Sequence, residues 1–322
     1  MTEYRQLGTS EIKVTPVALG CWPISGMTSL DVNETDSMKT LHAALECGIN
    51  FFDTAFGYGA NGESERMIAR AIAGKREQLV IATKCGLGWD QNLQRVLDGR
   101  PQTLHRQFEE SLRRLQVEHC DLLYLHAPDP HVPVTQSAGA LLEIMQSGKT
   151  RLVGVSNFSL QQIREFHNVC PISVIQPPYN MLQRQIEQDL IPWCQQHDVS
   201  LATYWPLMKG LLAGKLKRDH QFPPEDGRAK YPMFQGEQWQ RNLDFVDELR
   251  TIAADGGITV AQLVVRWTIE QPGITAALCG AKRDYQIEET AHALHFQLSD
   301  QQRDSIDAAL ARRGAADVRG AV

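Results

Sequence analysis

The chain is poor in the features that would place it in a membrane, outside a cell or on nucleic acid. No window approaches about 18 uninterrupted apolar residues, so no membrane-spanning helix is expected. Its first residues, MTEYRQLGTSEIKV, lack a basic stretch followed by an apolar core, and the expectation is a cytoplasmic chain. Seven cysteines, at 21, 47, 85, 120, 170, 194 and 279, are scattered and odd in number. With no CxxC pair and no zinc spacing they read as reduced thiols, and neither a disulfide framework nor a metal site is expected. His292 and His295 are three apart, but no third ligand is evident. Positive charge is not in surplus: 32 Lys and Arg stand against 38 Asp and Glu, a net −6 that argues against broad binding to nucleic acid or acidic lipid. No GxGxxG opens a strand–helix unit, which disfavours a Rossmann-type dinucleotide site. Disorder is excluded as well, because 43% hydrophobic and 22% charged residues suit a chain that buries a large core.

What is present is alternation. Short apolar runs at 17–20, 49–52, 79–83, 122–125, 152–155, 174–175, 201–203 and 274–278 read as strands. Between them, apolar residues at helical spacing mark helices over 36–47, 64–73, 101–115, 134–147, 160–167, 187–197, 239–254 and 260–269. Eight strands with intervening helices predict one α/β domain over residues 1–322, a single (β/α)8 TIM barrel. An N-terminal hairpin from 4–7 and 11–14 precedes it; an extra helix over 300–310 and a flexible tail over about 313–322 follow. The connection over 206–236 is far longer than usual and reads as a lid or a binding loop, with Lys215, Lys217, Arg218, Arg228 and Lys230 on it. Residues 90–100 form a second rim loop with Trp89 at its base.

The stretch that organises the rest is INFFDTAFGYG, residues 49–59. An apolar run ends on Asp53, and Tyr58 follows five residues later; the next two runs end on Lys84 and His126. Barrel chemistry sits at the C-terminal ends of strands, and neighbouring strands lie roughly 5 Å apart, so these side chains should share one pocket. A phenol with a pKa of about 10 donates protons poorly near neutrality unless a cation favours the phenolate, and Lys84 can be that cation. Asp53 would hold the ammonium, and His126 would hydrogen-bond the same substrate oxygen. Such a site delivers a proton to a carbonyl oxygen while hydride arrives from the other side. Trp22, Trp89 and Trp205 suggest an aromatic-lined substrate pocket.

The segments FFDTAFGYG, the TK of ATKCG and LYLHAPDP resemble the signatures of the aldo-keto reductase superfamily, over most of the chain from about Leu7 to about Asp300. The spelling PLMKGLLAGK and the GAKR segment look closer to its bacterial stress-related and channel-subunit-like branches. The resemblance implies NADPH-dependent reduction of an aldehyde or ketone, with Tyr58 as general acid, Asp53 and Lys84 tuning it, and His126 orienting the carbonyl. It implies an extended NADPH across the barrel mouth, with NADH the less expected cofactor. Ser156, Asn157 and Gln176 would meet the nicotinamide carboxamide, Tyr204 would stack on its ring, and Leu207, Gly210 and Leu211 would pass over the pyrophosphate. Beyond strand eight, Gly280, Lys282, Arg283, Gln286, Glu289 and Thr290 would meet the adenosine 2′-phosphate and adenine. The expected partner is a small carbonyl substrate, with no obligatory protein partner. Two alternatives stand beside this: an NADPH-binding regulatory subunit with little turnover, and a barrel lyase using Lys84 as a Schiff base, which would leave the SNF, Gln176 and GAKR features without a role.

Overall fold

Strand-forming runs too short to bury both faces alone can do so by closing on one another inside a ring of helices. In the computed structural model, which describes residues 3–27 and 29–317, that is what they do. A hairpin of β1 (Arg5–Gln6) and β2 (Lys13–Val14) comes first. The chain then runs β3 (Val17–Gly20), α1 (Glu34–Glu46), β4 (Phe51–Asp53), α2 (Glu63–Ala71), β5 (Val80–Cys85), β6 (Leu87–Trp89), β7 (Arg95–Leu97) and α3 (Pro101–Leu115). After β8 (Cys120–Leu125) come α4 (Val134–Gln146), β9 (Thr150–Ser156), α5 (Leu160–His167), β10 (Val174–Gln176), α6 (Leu190–Gln196) and β11 (Ser200–Tyr204). The last part is α7 (Gly236–Asp255), α8 (Val260–Glu270), β12 (Ile274–Gly280), α9 (Asp284–Ala291) and α10 (Asp300–Arg313). Strands β3, β4, β5, β8, β9, β10, β11 and β12 form a closed parallel barrel in that order, the (β/α)8 architecture expected.

Two buried layers hold it. Ala18, Phe51, Ala82, Leu122, Tyr124, Val174, Ala202 and Ala276 fill the barrel, and Leu7, Ile12 and Val14 of the hairpin close its floor. Small residues make room for large ones: a Cβ at Gly154 would stand 2.5 Å from the Tyr124 ring and from the Val174 carbonyl oxygen, so only glycine fits. Outside the strands, Leu104, Phe108 and Leu112 of α3 and their counterparts on the other helices form the second layer. Helices α5, α8 and α10 begin on capping boxes at Ser159/Gln162, Thr259/Gln262 and Ser299/Gln302, which satisfy amides left open at a helix start.

Two local expectations change. Residues 90–100 are not a plain loop: Trp89 pairs with Arg95 in the β6–β7 hairpin, and the Asp90 carboxylate turns the chain by accepting from the amides of Asn92 and Gln94. The helix expected over 300–310 continues to Arg313, whose buried guanidinium donates to Asn242 and Gln238 of α7, so the tail does not begin there. The remainder of the tail, 318–322, lies outside the described residues. The 206–236 connection is anchored near its two ends, where Leu211, Leu212, Met233 and Phe234 are buried, while Lys215, Lys217, Arg218 and Lys230 stand exposed and Arg228 pairs with Asp226.

Candidate active site

Register brings the polar strand ends together. Asp53 of β4 lies beside Gly20 and Ala82, and Lys84 of β5 beside Tyr124 of β8. Asp53 and Lys84 are each 1% exposed. Lys84 Nζ donates to Asp53 Oδ1 at 2.5 Å, to the Thr54 carbonyl at 2.8 Å and to the Tyr58 hydroxyl oxygen at 3.2 Å, which uses all three of its protons. The second Asp53 oxygen accepts from Gln176 Nε2 at 2.7 Å. The His126 ring stands edge-on to Tyr58 with centroids 5.8 Å apart, and Trp22 meets the same phenol at 5.0 Å. The four residues Asp53, Tyr58, Lys84 and His126 thus share one pocket.

The loop carrying Tyr58 is tied at two successive carbonyls. Trp89 Nε1 donates to the Gly57 oxygen at 2.8 Å, and Arg114 of α3 donates to the Phe56 oxygen at 3.2 Å with its guanidinium over the Phe56 ring. Arg114 also pairs with the buried Glu65 carboxylate at 3.4 Å.

Burial and charge set the protonation states. Burial pushes the Asp53 carboxyl up, with Lys84 and Gln176 pulling against it. Burial alone would lower Lys84; the Asp53 carboxylate and the Tyr58 oxygen outweigh it and hold the ammonium above the usual lysine range. The Tyr58 phenol is raised by burial despite the cation beside it. Lys84 pulls the phenol down, in the direction expected of it, but burial outweighs that pull and the Asp53 charge opposes it too. Burial, then the charges of Lys84 and Arg95, hold His126 well below the usual imidazole range, so the ring is neutral. Its Nδ1 is buried and meets no hydrogen-bond partner among the described residues.

A polar fringe lines the next three strand ends. Ser156 Oγ donates to the Gln176 carbonyl at 2.8 Å; Asn157 Nδ2 donates to the His126 carbonyl at 2.9 Å; the Tyr204 hydroxyl donates to Asn157 Oδ1 at 2.8 Å. Asn157 and Trp205 hold left-handed backbones, φ 63° and 60°. Leu207 leads into a tight turn at Met208–Ala213 in which Gly210 takes φ 91° and Leu211 is buried. Trp22 packs on Tyr58 and Trp89 holds the Gly57 carbonyl beside it, whereas Trp205 packs edge-on to Tyr204 and Tyr231 with the Lys209 ammonium 4.3 Å from its ring centroid.

Past Gly280, Lys282 and Arg283 precede α9. Lys282 Nζ donates to the Leu30 carbonyl at 2.8 Å and Arg283 to the Asp31 carbonyl at 2.7 Å, with Asp36 3.4 Å from the Arg283 guanidinium. Gln286 Oε1 accepts from the Lys282 amide at 2.9 Å, and Glu289 pairs with Lys215 at 2.5 Å. Thr290 turns inward, 4% exposed, and donates to carbonyls of its own helix. Sequence reading had given no place to Arg95, Arg114 or the Gln176–Asp53 bond. Among the described residues, no group of three His, Cys, Asp or Glu is arranged to hold a metal ion.

The aldo/keto reductase family model matches residues 16–311. The chain is 35% identical to aldo-keto reductase YhdN of Bacillus subtilis, over 96% of this chain and 93% of that protein. It is 31% identical to the NADH-specific methylglyoxal reductase of Escherichia coli, over 91% and 94%. Among solved structures, the glycerol dehydrogenase AKR11B4 of Gluconobacter oxydans superposes with a TM-score of 0.90 at 36% identity, covering 98% of this chain and 97% of that one.

Proposed function

This chain belongs to the aldo/keto reductase family, and from that premise we propose that it reduces an aldehyde or ketone to the alcohol with NADPH, Tyr58 giving the proton. The observation that carries the reading is the coordination of one ammonium: Lys84 touches the Tyr58 hydroxyl while Asp53 takes its charge. A neutral phenol beside a fixed cation donates a proton and has the resulting oxyanion stabilised where it forms. The neutral His126 ring, edge-on to Tyr58, donates a hydrogen bond to the carbonyl oxygen without competing as an acid.

The residues fit a nicotinamide dinucleotide. Ser156, Asn157 and Gln176 are an amide and hydroxyl set suited to a carboxamide, and Tyr204 offers a ring face beside them. Lys282 and Arg283, beside the α9 N-terminus, would hold the 2′-phosphate, their present partners Leu30 and Asp31 being neutral carbonyls. When bound, the nicotinamide supplies the hydride. Asp36 competes for Arg283, and a relative is named for NADH, so the preference for NADPH is proposed as moderate. We place the activity in the cytoplasm on small molecules, without an obligatory protein partner; the seven cysteines, free thiols of which six are buried, suit a reducing compartment.

The test is oxidation of NADPH, with NADH in parallel, in the presence of a reactive aromatic aldehyde. Tyr58→Phe should lose about 10²- to 10⁴-fold in kcat with cofactor affinity unchanged. A variant with the wild-type rate removes the proton-donor assignment; tight cofactor binding without any turnover supports the regulatory-subunit reading instead.

A further inference from the structure

Arg95 stands out among the charged groups at the barrel mouth. It lies on β7, opposite Trp89 in the hairpin that follows the Lys84 strand. Its guanidinium carbon is 5.6 Å from the Trp22 ring centroid and 5.9 Å from that of Trp89. Both indoles are part of the Tyr58 surroundings: Trp22 packs against the phenol at 5.0 Å, and Trp89 holds the Gly57 carbonyl. The side chain is exposed, and among the described residues it makes no ion pair or side-chain hydrogen bond, whereas nearby Arg100 is held bidentate by Asp98. Two ring faces fix the cation's position while leaving its five N–H donors pointed at no protein oxygen. Its charge reaches the chemistry as well, since it helps keep His126 neutral.

A guanidinium held in place, unpaired and facing a reaction pocket is suited to an anionic oxygen group on the ligand. We propose, building on the reductase reading above, that Arg95 anchors the anionic end of the substrate, so that the preferred carbonyl compounds carry a carboxylate or phosphate. The guanidinium is no farther from the Tyr58 ring than the 5.6 and 5.0 Å separations laid end to end through Trp22. That bound leaves room only for a short spacer between the carbonyl and the anion, a few carbons at most. Trp22 and Trp89 then cover the spacer, and the carbonyl oxygen meets Tyr58 and His126. Arg95 takes no part in the proton or hydride steps; it selects and positions.

The experiment compares succinic semialdehyde, a four-carbon aldehyde bearing a carboxylate, with the uncharged pentanal. Each is assayed with wild type, Arg95→Ala and Arg95→Lys. In wild type the acid is expected to be the better substrate. Arg95→Ala should lower the ratio of kcat/KM for the acid to that for pentanal by about 10- to 100-fold, mostly through KM, and added salt should lower the wild-type ratio in the same direction. Arg95→Lys should recover part of the ratio, because a point charge replaces a bidentate fork. A ratio unchanged in Arg95→Ala overturns the proposal. Binding of succinate to the cofactor-loaded protein, read by calorimetry, separates the two readings. Arg95-dependent binding without turnover of either aldehyde supports the anion site and removes the reductase reading; turnover of both aldehydes with no dependence on Arg95 does the reverse.

Discussion

Replacing Asp53 by asparagine tests how much of the site depends on one buried charge. The side chain keeps its size and two polar atoms, so no cavity forms and the change is electrostatic. Lys84 remains 1% exposed, with only the Thr54 carbonyl, the Tyr58 oxygen and the new amide to meet an ammonium. Removing one partner of a buried pair costs about 3–5 kcal/mol, against about 0–1 kcal/mol for an exposed one. The unfolding free energy from matched urea curves at pH 7 should fall by that larger amount. The pH dependence has a definite sign. In the wild type Lys84 is held above its unfolded pKa of about 10.4, so its contribution is fully present below that value and is lost only as pH rises through the higher folded value. In Asp53→Asn, burial without the carboxylate drops the folded pKa below about 10.4, the unfolded chain binds more protons, and stability rises with pH. The deficit should therefore narrow between pH 7 and 10. A deficit below about 1 kcal/mol, or one constant over that range, refutes the account of a charge-matched buried pair.

Because burial and the charges of Lys84 and Arg95 keep His126 well below the usual imidazole range of about 6.5, kcat should be flat from about pH 6 to 8; an acidic limb near 6.5 that disappears in His126→Gln would contradict it. Lys282→Ala combined with Arg283→Ala should weaken NADPH more than NADH in fluorescence titrations, and equal weakening would show that these cations do not read the 2′-phosphate. Gly154→Ala forces a methyl group to 2.5 Å from the Tyr124 ring and the Val174 carbonyl oxygen, and should cost about 1–3 kcal/mol in unfolding free energy. An unchanged urea midpoint would mean that the strand shifts freely there.

Asp53, Lys84 and His126 were legible because each ends an apolar run, and a charged or ionisable side chain there stands out against the buried strand before it. The barrel itself was legible from such apolar runs, repeated eight times. Other features depend on what folding brings together. The Gln176–Asp53 bond joins residues 123 apart, and no local pattern announces it. The β6–β7 hairpin has three-residue strands whose outward residues, Arg95 and Val96, are exposed, so it shows no apolar alternation. Thr290 shows how helical spacing places a polar side chain. It lies three residues after Ile287, on the stripe that α9 buries with Ala291, and helical spacing alone would have turned it inward.

The hairpin that closes the barrel floor ties the first residues of the chain to the last strands. Arg5 donates to the carbonyls of Ile269 and Ile274, and the Gly8 amide donates to Ser200 Oγ. During synthesis those partners emerge last. At 5–20 residues per second, Leu7, Ile12 and Val14 wait roughly 15 to 60 s before the floor they plug exists. Barrel closure and floor closure then use the same late segment, so a nascent chain stalled before β12 exposes an apolar hairpin and two unpaired strand edges, on β3 and β11, together.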